Sequence, residues 1–90
     1  NKAIELDSNN SLTYYRRGLA KNYLGKDFEA IKDYDKAIEL DINFSMAYNN
    51  RGVSKKNLGQ YQEALKDYEK ALELEPNNKL FRRNIKNIQY

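Results

Sequence analysis

Residues Ser11–Phe44 align with Ser45–Asn78 without a gap, and half of the aligned positions are identical. A chain that repeats itself every 34 residues must build the same supersecondary unit twice and stack the copies, because one such unit cannot bury its own apolar face. The shared frame is Tyr14, Arg17, Gly18, Lys21, Leu24, Gly25, Ala30, Tyr34, Ala37 and Leu40. Its counterparts are Tyr48, Arg51, Gly52, Lys55, Leu58, Gly59, Ala64, Tyr68, Ala71 and Leu74.

Each unit reads as two helices. Asn10 or Ser11 can cap a first helix that runs to Leu24, where Gly25 supplies the stop. A second helix is predicted from about Asp27 to Asp41. It places Ile31, Tyr34 and Ile38 on one face, with Ala30 and Ala37 alongside. The second unit repeats this pattern, and Pro76 ends its second helix. Gly18 and Gly52 fall in mid-helix, where glycine costs about 1 kcal/mol relative to alanine. That cost makes sense if another helix crosses too closely for a Cβ, with Ala30 and Ala64 expected at the facing positions.

A helix–turn–helix unit of 34 residues with Tyr48, Gly52, Ala64, Tyr68, Ala71 and Pro76 at these offsets resembles the tetratricopeptide repeat (TPR). Tyr14, Gly18, Ala30, Tyr34 and Ala37 repeat the match in the first unit. Ile42 departs from the family pattern by replacing the proline. Arg17, Arg51, Lys21 and Lys55 stand where the family has apolar residues, and Asp27 and Phe28 stand where the second unit has the aromatic Tyr61.

The resemblance implies an all-α, right-handed α-solenoid over residues 1–90. Residues 1–10 match the end of a preceding repeat, 11–44 and 45–78 are full repeats, and 79–90 form a capping helix. Phe81, Ile85 and Ile88 form an apolar stripe on that last helix, while Arg82, Arg83, Lys86 and Asn87 face away, as a polar-sided cap requires.

The chemistry of catalysis is poorly represented. The chain has neither His nor Cys, which removes the commonest general base and the best thiol nucleophile. The acids show no calcium-loop spacing, and the LGKD and LGQY stretches are helix–helix turns rather than phosphate-binding loops. The reading is therefore of a non-enzyme with no cofactor and no metal.

Charge is close to balanced apart from Lys79, Arg82, Arg83 and Lys86, which give the C-terminal segment a basic excess and the chain its net +3. Cations at a helix end also suit the helix dipole. Apart from Phe81 and Tyr90 no aromatic platforms interleave them, which argues against a nucleic-acid site. No apolar run reaches membrane-spanning length, despite an apolar fraction of 40%. The absence of cysteine and of a targeting segment fits an intracellular, cytoplasmic protein.

In TPR arrays the first helices line a concave face. Carried over residue by residue, the resemblance places Tyr15, Arg16, Leu19 and Tyr23 there, with Asn49, Asn50, Val53, Lys56 and Asn57 from the second unit and Arg83 and Asn84 from the cap. Amides can pair with both the N–H and the C=O of an extended peptide, and the cations can meet carboxylates. The implied function is a groove for a peptide or partner segment, and a lining that holds bases and no acids suits an acidic one.

Some family members clamp a C-terminal carboxylate with a fixed set of Lys, Asn and Arg residues. Here only Asn50 matches that set when the second unit takes the middle role, since Tyr15, Leu19, Leu80 and Asn84 occupy the other places. Two further expectations follow. Arg17–Asp33 and Arg51–Asp67 should pair across each hairpin. Ile4 and Leu6, left without the first helix of their repeat, should either fray or be covered by another copy through end-to-end stacking or helix exchange.

Overall fold

The computed structural model describes residues 10–88. They form five helices: α1 (Ser11–Tyr23), α2 (Asp27–Leu40), α3 (Ser45–Asn57), α4 (Tyr61–Leu74) and α5 (Lys79–Ile88). The segment carrying Ile4 and Leu6, on which the self-association reading rests, lies outside the described residues.

Local chemistry sets the helix ends. The Asn10 side chain accepts a hydrogen bond from the Leu12 N–H at 2.7 Å, so Asn10 is the N-cap of α1. At the other end Gly25 adopts φ 75°, a left-handed conformation that a Cβ would strain. It lets the Lys26 N–H reach the Lys21 carbonyl at 2.8 Å and the Gly25 N–H reach Asn22 at 3.0 Å, which satisfies carbonyls the helix would otherwise leave bare. Gly59 does the same for α3 at φ 83°, with Gln60 bonded to Lys55 and Gly59 to Lys56. At Ile42, which replaces proline, the Asp41 Oδ1 accepts from the Asn43 N–H at 3.1 Å. The Phe44 N–H to Asp41 carbonyl bond at 3.1 Å is common to both turns, since the Asn78 N–H reaches the Glu75 carbonyl across Pro76 at the same distance.

The helices pack in chain order as an all-α solenoid. α1 lies on α2, α3 on α4, α2 on α3, and α5 closes the stack against α4. The core runs through the second helices as Ala30, Tyr34, Ala37, Ala64, Tyr68 and Ala71, joined by Ala47 and Tyr48 from α3. Phe81 docks the cap. It is fully buried against Tyr48 and Ala71, with Met46, Leu72 and Leu74 around that cluster, whereas Ile85 is only half-buried.

The mid-helix glycines are explained by tyrosines, not by the facing alanines the pattern suggested. A Cβ on Gly18 would stand 2.6 Å from Tyr34 Cε1, and one on Gly52 would stand 2.7 Å from Tyr68 Cε1. The tyrosine ring of the second helix takes the space a Cβ would need. At Gly52 the Ala64 carbonyl oxygen also closes to 3.1 Å, so part of the alanine reading survives there as a backbone contact.

Ion pairs lock each hairpin as expected. Arg17 Nη2 meets Asp33 Oδ1 at 2.8 Å, and Arg51 Nη2 meets Asp67 Oδ1 at 2.7 Å. Lys21 and Lys55 join the same carboxylates at 3.0 and 3.1 Å, and the two guanidiniums lie over the Tyr14 and Tyr48 rings. Arg51 also reaches back to Asp35 of the preceding unit at 2.8 Å, so it bolts the two repeats together. Burial pushes the Asp33 carboxyl up, but Arg17 and Lys21 outweigh it and hold it below the usual carboxylate value. Burial likewise works against the charge on Arg51, yet Asp67 and Asp35 overcome it and raise its pKa.

Candidate interaction groove

The first helix of each unit supplies one wall: α1, then α3, then α5. Counting from Ser11, Ser45 and Lys79, the fifth and sixth residues of successive walls meet. Asn50 Nδ2 donates to the Tyr15 hydroxyl at 2.9 Å, and Asn84 Nδ2 donates to Asn49 Oδ1 at 2.7 Å. Asn49 Nδ2 in turn donates to Asn50 Oδ1 at 3.0 Å, completing a ladder Asn84–Asn49–Asn50–Tyr15 across all three walls. Each amide carries two N–H groups and a carbonyl with two lone pairs, so the half-buried Asn50 and Asn84 retain capacity for a further partner.

The ladder assigns different tasks to the residues predicted for this face. Asn49 is only 2% exposed, so it is an internal link and not a contact surface, which corrects the expectation placed on it. Tyr15 is half-buried, its ring 4.8 Å from Phe44 and 6.0 Å from Tyr34, and burial raises its hydroxyl pKa. Tyr23 is 89% exposed. Leu19 and Val53 are half-buried, while Arg16, Lys56, Asn57 and Arg83 are exposed. Asn57 spends an N–H on Asp27 Oδ1 at 3.3 Å.

That last bond belongs to a second cluster that the residue pattern did not reveal. Tyr34 Oη donates to Asn22 Oδ1, and Asn22 Nδ2 donates to Asp27 Oδ1 at 3.0 Å and to Ser54 Oγ. Asn22 and Ser54 thereby tie α1 to α3 near one end of the groove. Burial pushes the Tyr34 hydroxyl pKa up, which keeps it a neutral donor to Asn22, and pushes that of Tyr68 up to about 12.

The charges are sorted by helix. None of α1, α3 and α5 contains Asp or Glu, whereas α2 and α4 carry Asp27, Glu29, Asp33, Asp35, Glu63 and Asp67 among others. The second-helix acids neutralise Arg17, Lys21, Arg51 and Lys55. Among the described residues no carboxylate pairs with Arg16, Lys56 or Arg83. Also among them, no three or more His, Cys, Asp and Glu side chains come together as a metal site would need, and no helix is long and apolar enough to cross a membrane.

Stacked helical hairpins with one polar, acid-free wall define a helical-repeat protein. The tetratricopeptide repeat pattern matches residues 45–78 and again residues 12–43, so the chain belongs to the tetratricopeptide repeat family. Among solved structures it is similar to the first TPR domain of Spaghetti (RPAP3) bound to the HSP90 peptide SRMEEVD, at 34% identity and TM-score 0.90, covering 98% of this chain and 70% of that one. It is similar to the second TPR domain of human RPAP3 in complex with the HSP70 peptide SGPTIEEVD, at 36% identity and TM-score 0.90, covering 99% and 74%. The Arabidopsis OM64 TPR domain gives 35% identity and TM-score 0.89, covering 96% and 71%. No curated protein sequence matches the chain.

Proposed function

We propose that this protein is a non-catalytic interaction module that binds a peptide segment of a partner protein along the face formed by α1, α3 and α5. The observation that carries this reading is the sorting of charge. The three helices of the wall hold no acid, Asp27 of α2 meets the face only at Asn22 and Asn57, the structural cations are consumed by the second helices, and Arg16, Lys56 and Arg83 are left beside a row of amides. Amides satisfy a peptide main chain, and exposed cations select acidic side chains. The similar RPAP3 domains hold peptides that contain two Glu and an Asp, which supports a peptide of that character here. The lack of His and Cys supports a non-enzymatic role.

The test is a binding comparison. Wild-type protein and an Arg16→Ala, Asn50→Ala double variant are immobilised and offered a library of displayed peptides. Enriched peptides should be retained by the wild type and lost by the variant. Peptides that survive the double change would place binding elsewhere on the surface.

A further inference from the structure

Four polar residues that break the repeat converge on one spot. Asn22, Asp27, Ser54 and Asn57 stand where the other unit has Lys56, Tyr61, Ala20 and Tyr23. Asn22 Nδ2 donates to Asp27 Oδ1 at 3.0 Å and to Ser54 Oγ, and Asn57 Nδ2 donates to the same Asp27 oxygen at 3.3 Å. Asp27 opens α2, yet its carboxylate is held between α1 and α3, two of the helices that make the face. The second hairpin seats Tyr68 against Gly52 with none of the four, so hairpin packing does not require them.

Asp27 has capacity to spare. Both amide bonds end on Oδ1. Among the described residues nothing donates to Oδ2, and no buried side-chain oxygen or nitrogen lacks a partner, so Oδ2 is open to water. Asp33, Asp35 and Asp67 each hold an arginine, whereas among the described residues no cation pairs with Asp27. Lys26 and Lys56, which adjoin Asp27 and Asn57 in the chain, are exposed.

We infer that Asp27 is a cation subsite of the face, which takes the ammonium or guanidinium group of a Lys or Arg side chain on the bound partner segment. This rests on the reading of the face as a peptide groove, and it adds one basic position to a segment selected for its acids.

The donor set fits that occupant. A carboxylate only accepts, so Asn22 and Asn57 must both turn N–H toward it, which leaves the Asn57 carbonyl free. A cation on Oδ2 forms a charge-assisted hydrogen bond and can give a second N–H to that carbonyl. Asn22 is committed, with both N–H groups given to Asp27 and Ser54 and its carbonyl taken by Tyr34 Oη. It therefore fixes the carboxylate without competing for the ligand. Asp27 is half-buried, where charges attract more strongly than in open water. An acidic ligand side chain would be repelled at this point, so the subsite also sets the register of the segment along the face.

A displayed peptide library and a double-mutant cycle test this. Peptides selected by the wild type should share one Lys or Arg at a fixed place among their acids. The cycle compares wild type and Asp27→Asn, each against a selected peptide and the same peptide with its basic residue replaced by Gln. Asparagine keeps an oxygen for Asn22 and Asn57 and removes the charge. Either change alone should weaken binding about tenfold, and both together should add little more. A merely structural role for Asp27 would weaken both peptides alike. Thermal unfolding checks that Asp27→Asn is folded, and the peptide arm on wild type needs no variant. The inference is overturned, with the groove reading intact, if selected peptides share no basic residue, if replacing it costs nothing, or if Asp27→Asn affects both peptides equally. No enrichment by the wild type, or enriched peptides indifferent to Arg16→Ala with Asn50→Ala, overturns the groove reading and this inference with it.

Discussion

Asn84 donates an amide N–H to Asn49 Oδ1 at 2.7 Å, and through that bond the last helix is tied to the middle repeat. Asn49 passes the connection to Asn50, and Asn50 to Tyr15. The face proposed to hold a ligand is thus prearranged by its own hydrogen bonds, which lowers the ordering cost of binding. A buried polar link of this kind is costly to break from one side, because its partners are left unpaired.

Asn49→Leu should therefore destabilise the fold by about 1–3 kcal/mol, since it strands the Asn84 N–H and the Asn50 carbonyl. Thermal or urea unfolding measures this. A variant as stable as the wild type would mean the link carries no weight.

Gly52→Ala sets two effects against each other. Alanine favours the helix by about 1 kcal/mol. The new Cβ would stand 2.7 Å from the buried Tyr68 ring and 3.1 Å from the Ala64 carbonyl oxygen. Overpacking costs about 1–3 kcal/mol, and a backbone atom yields less than a ring, so the net change should be destabilising. At Gly18 the three nearest atoms all belong to the Tyr34 side chain, which can yield more than backbone, so Gly18→Ala should cost less. Unfolding midpoints of the two variants, compared side by side, check the order.

Arg51 and Arg17 occupy equivalent places but do unequal work. The Arg51 side chain is 18% exposed and serves both Asp67 and Asp35, whereas that of Arg17 is 58% exposed. Arg51→Ala should cost about 3 kcal/mol, as removal of one partner from a buried pair does. Arg17→Ala should cost about 1 kcal/mol or less, because water screens it. Equal losses in denaturant melts would refute the claim that Arg51 bolts the repeats together.

Asp33 gives the fold an acid limit. Its carboxyl is held below the ordinary value in the folded state, so its contribution is fully present above the unfolded value of about 3.9 and is lost as pH falls through the folded value. The stability gap between wild type and Asp33→Asn should be constant above about pH 5 and shrink on further acidification. Urea titrations at stepped pH measure it, and a gap that widens in acid would reverse the sign of the argument.

Much of this architecture was legible because it recurs. Arg17 with Asp33 and Arg51 with Asp67 appear twice at one spacing, and so do Gly25 with Gly59 at the turns, which is why the hairpin ion pairs and helix ends could be read before the fold was seen. The ladder was hidden for a geometric reason. Its bonds join residues 35 apart, one more than the repeat, so aligning the units sets the partners in adjacent columns. Its members also differ in type, with Tyr15 opposite Asn49, and nothing in composition distinguishes the buried Asn49 from the half-buried Asn50. Arg51–Asp35 was equally concealed, since the residue one such step before Arg17 is Asn1, which offers no carboxylate to repeat the pattern.

The central claim is that ligand lies across α1, α3 and α5. The most direct measurement is a titration of isotope-labelled protein with an acidic peptide of about twelve residues, long enough at about 3.3 Å each to span the wall, followed by nuclear magnetic resonance. The account predicts that amide and side-chain signals of Arg16, Asn50, Asn84 and Arg83 shift together and saturate, with the acid-rich outer faces of α2 and α4 unmoved. Shifts confined to α2 and α4, or none on the ladder at saturating peptide, would contradict it.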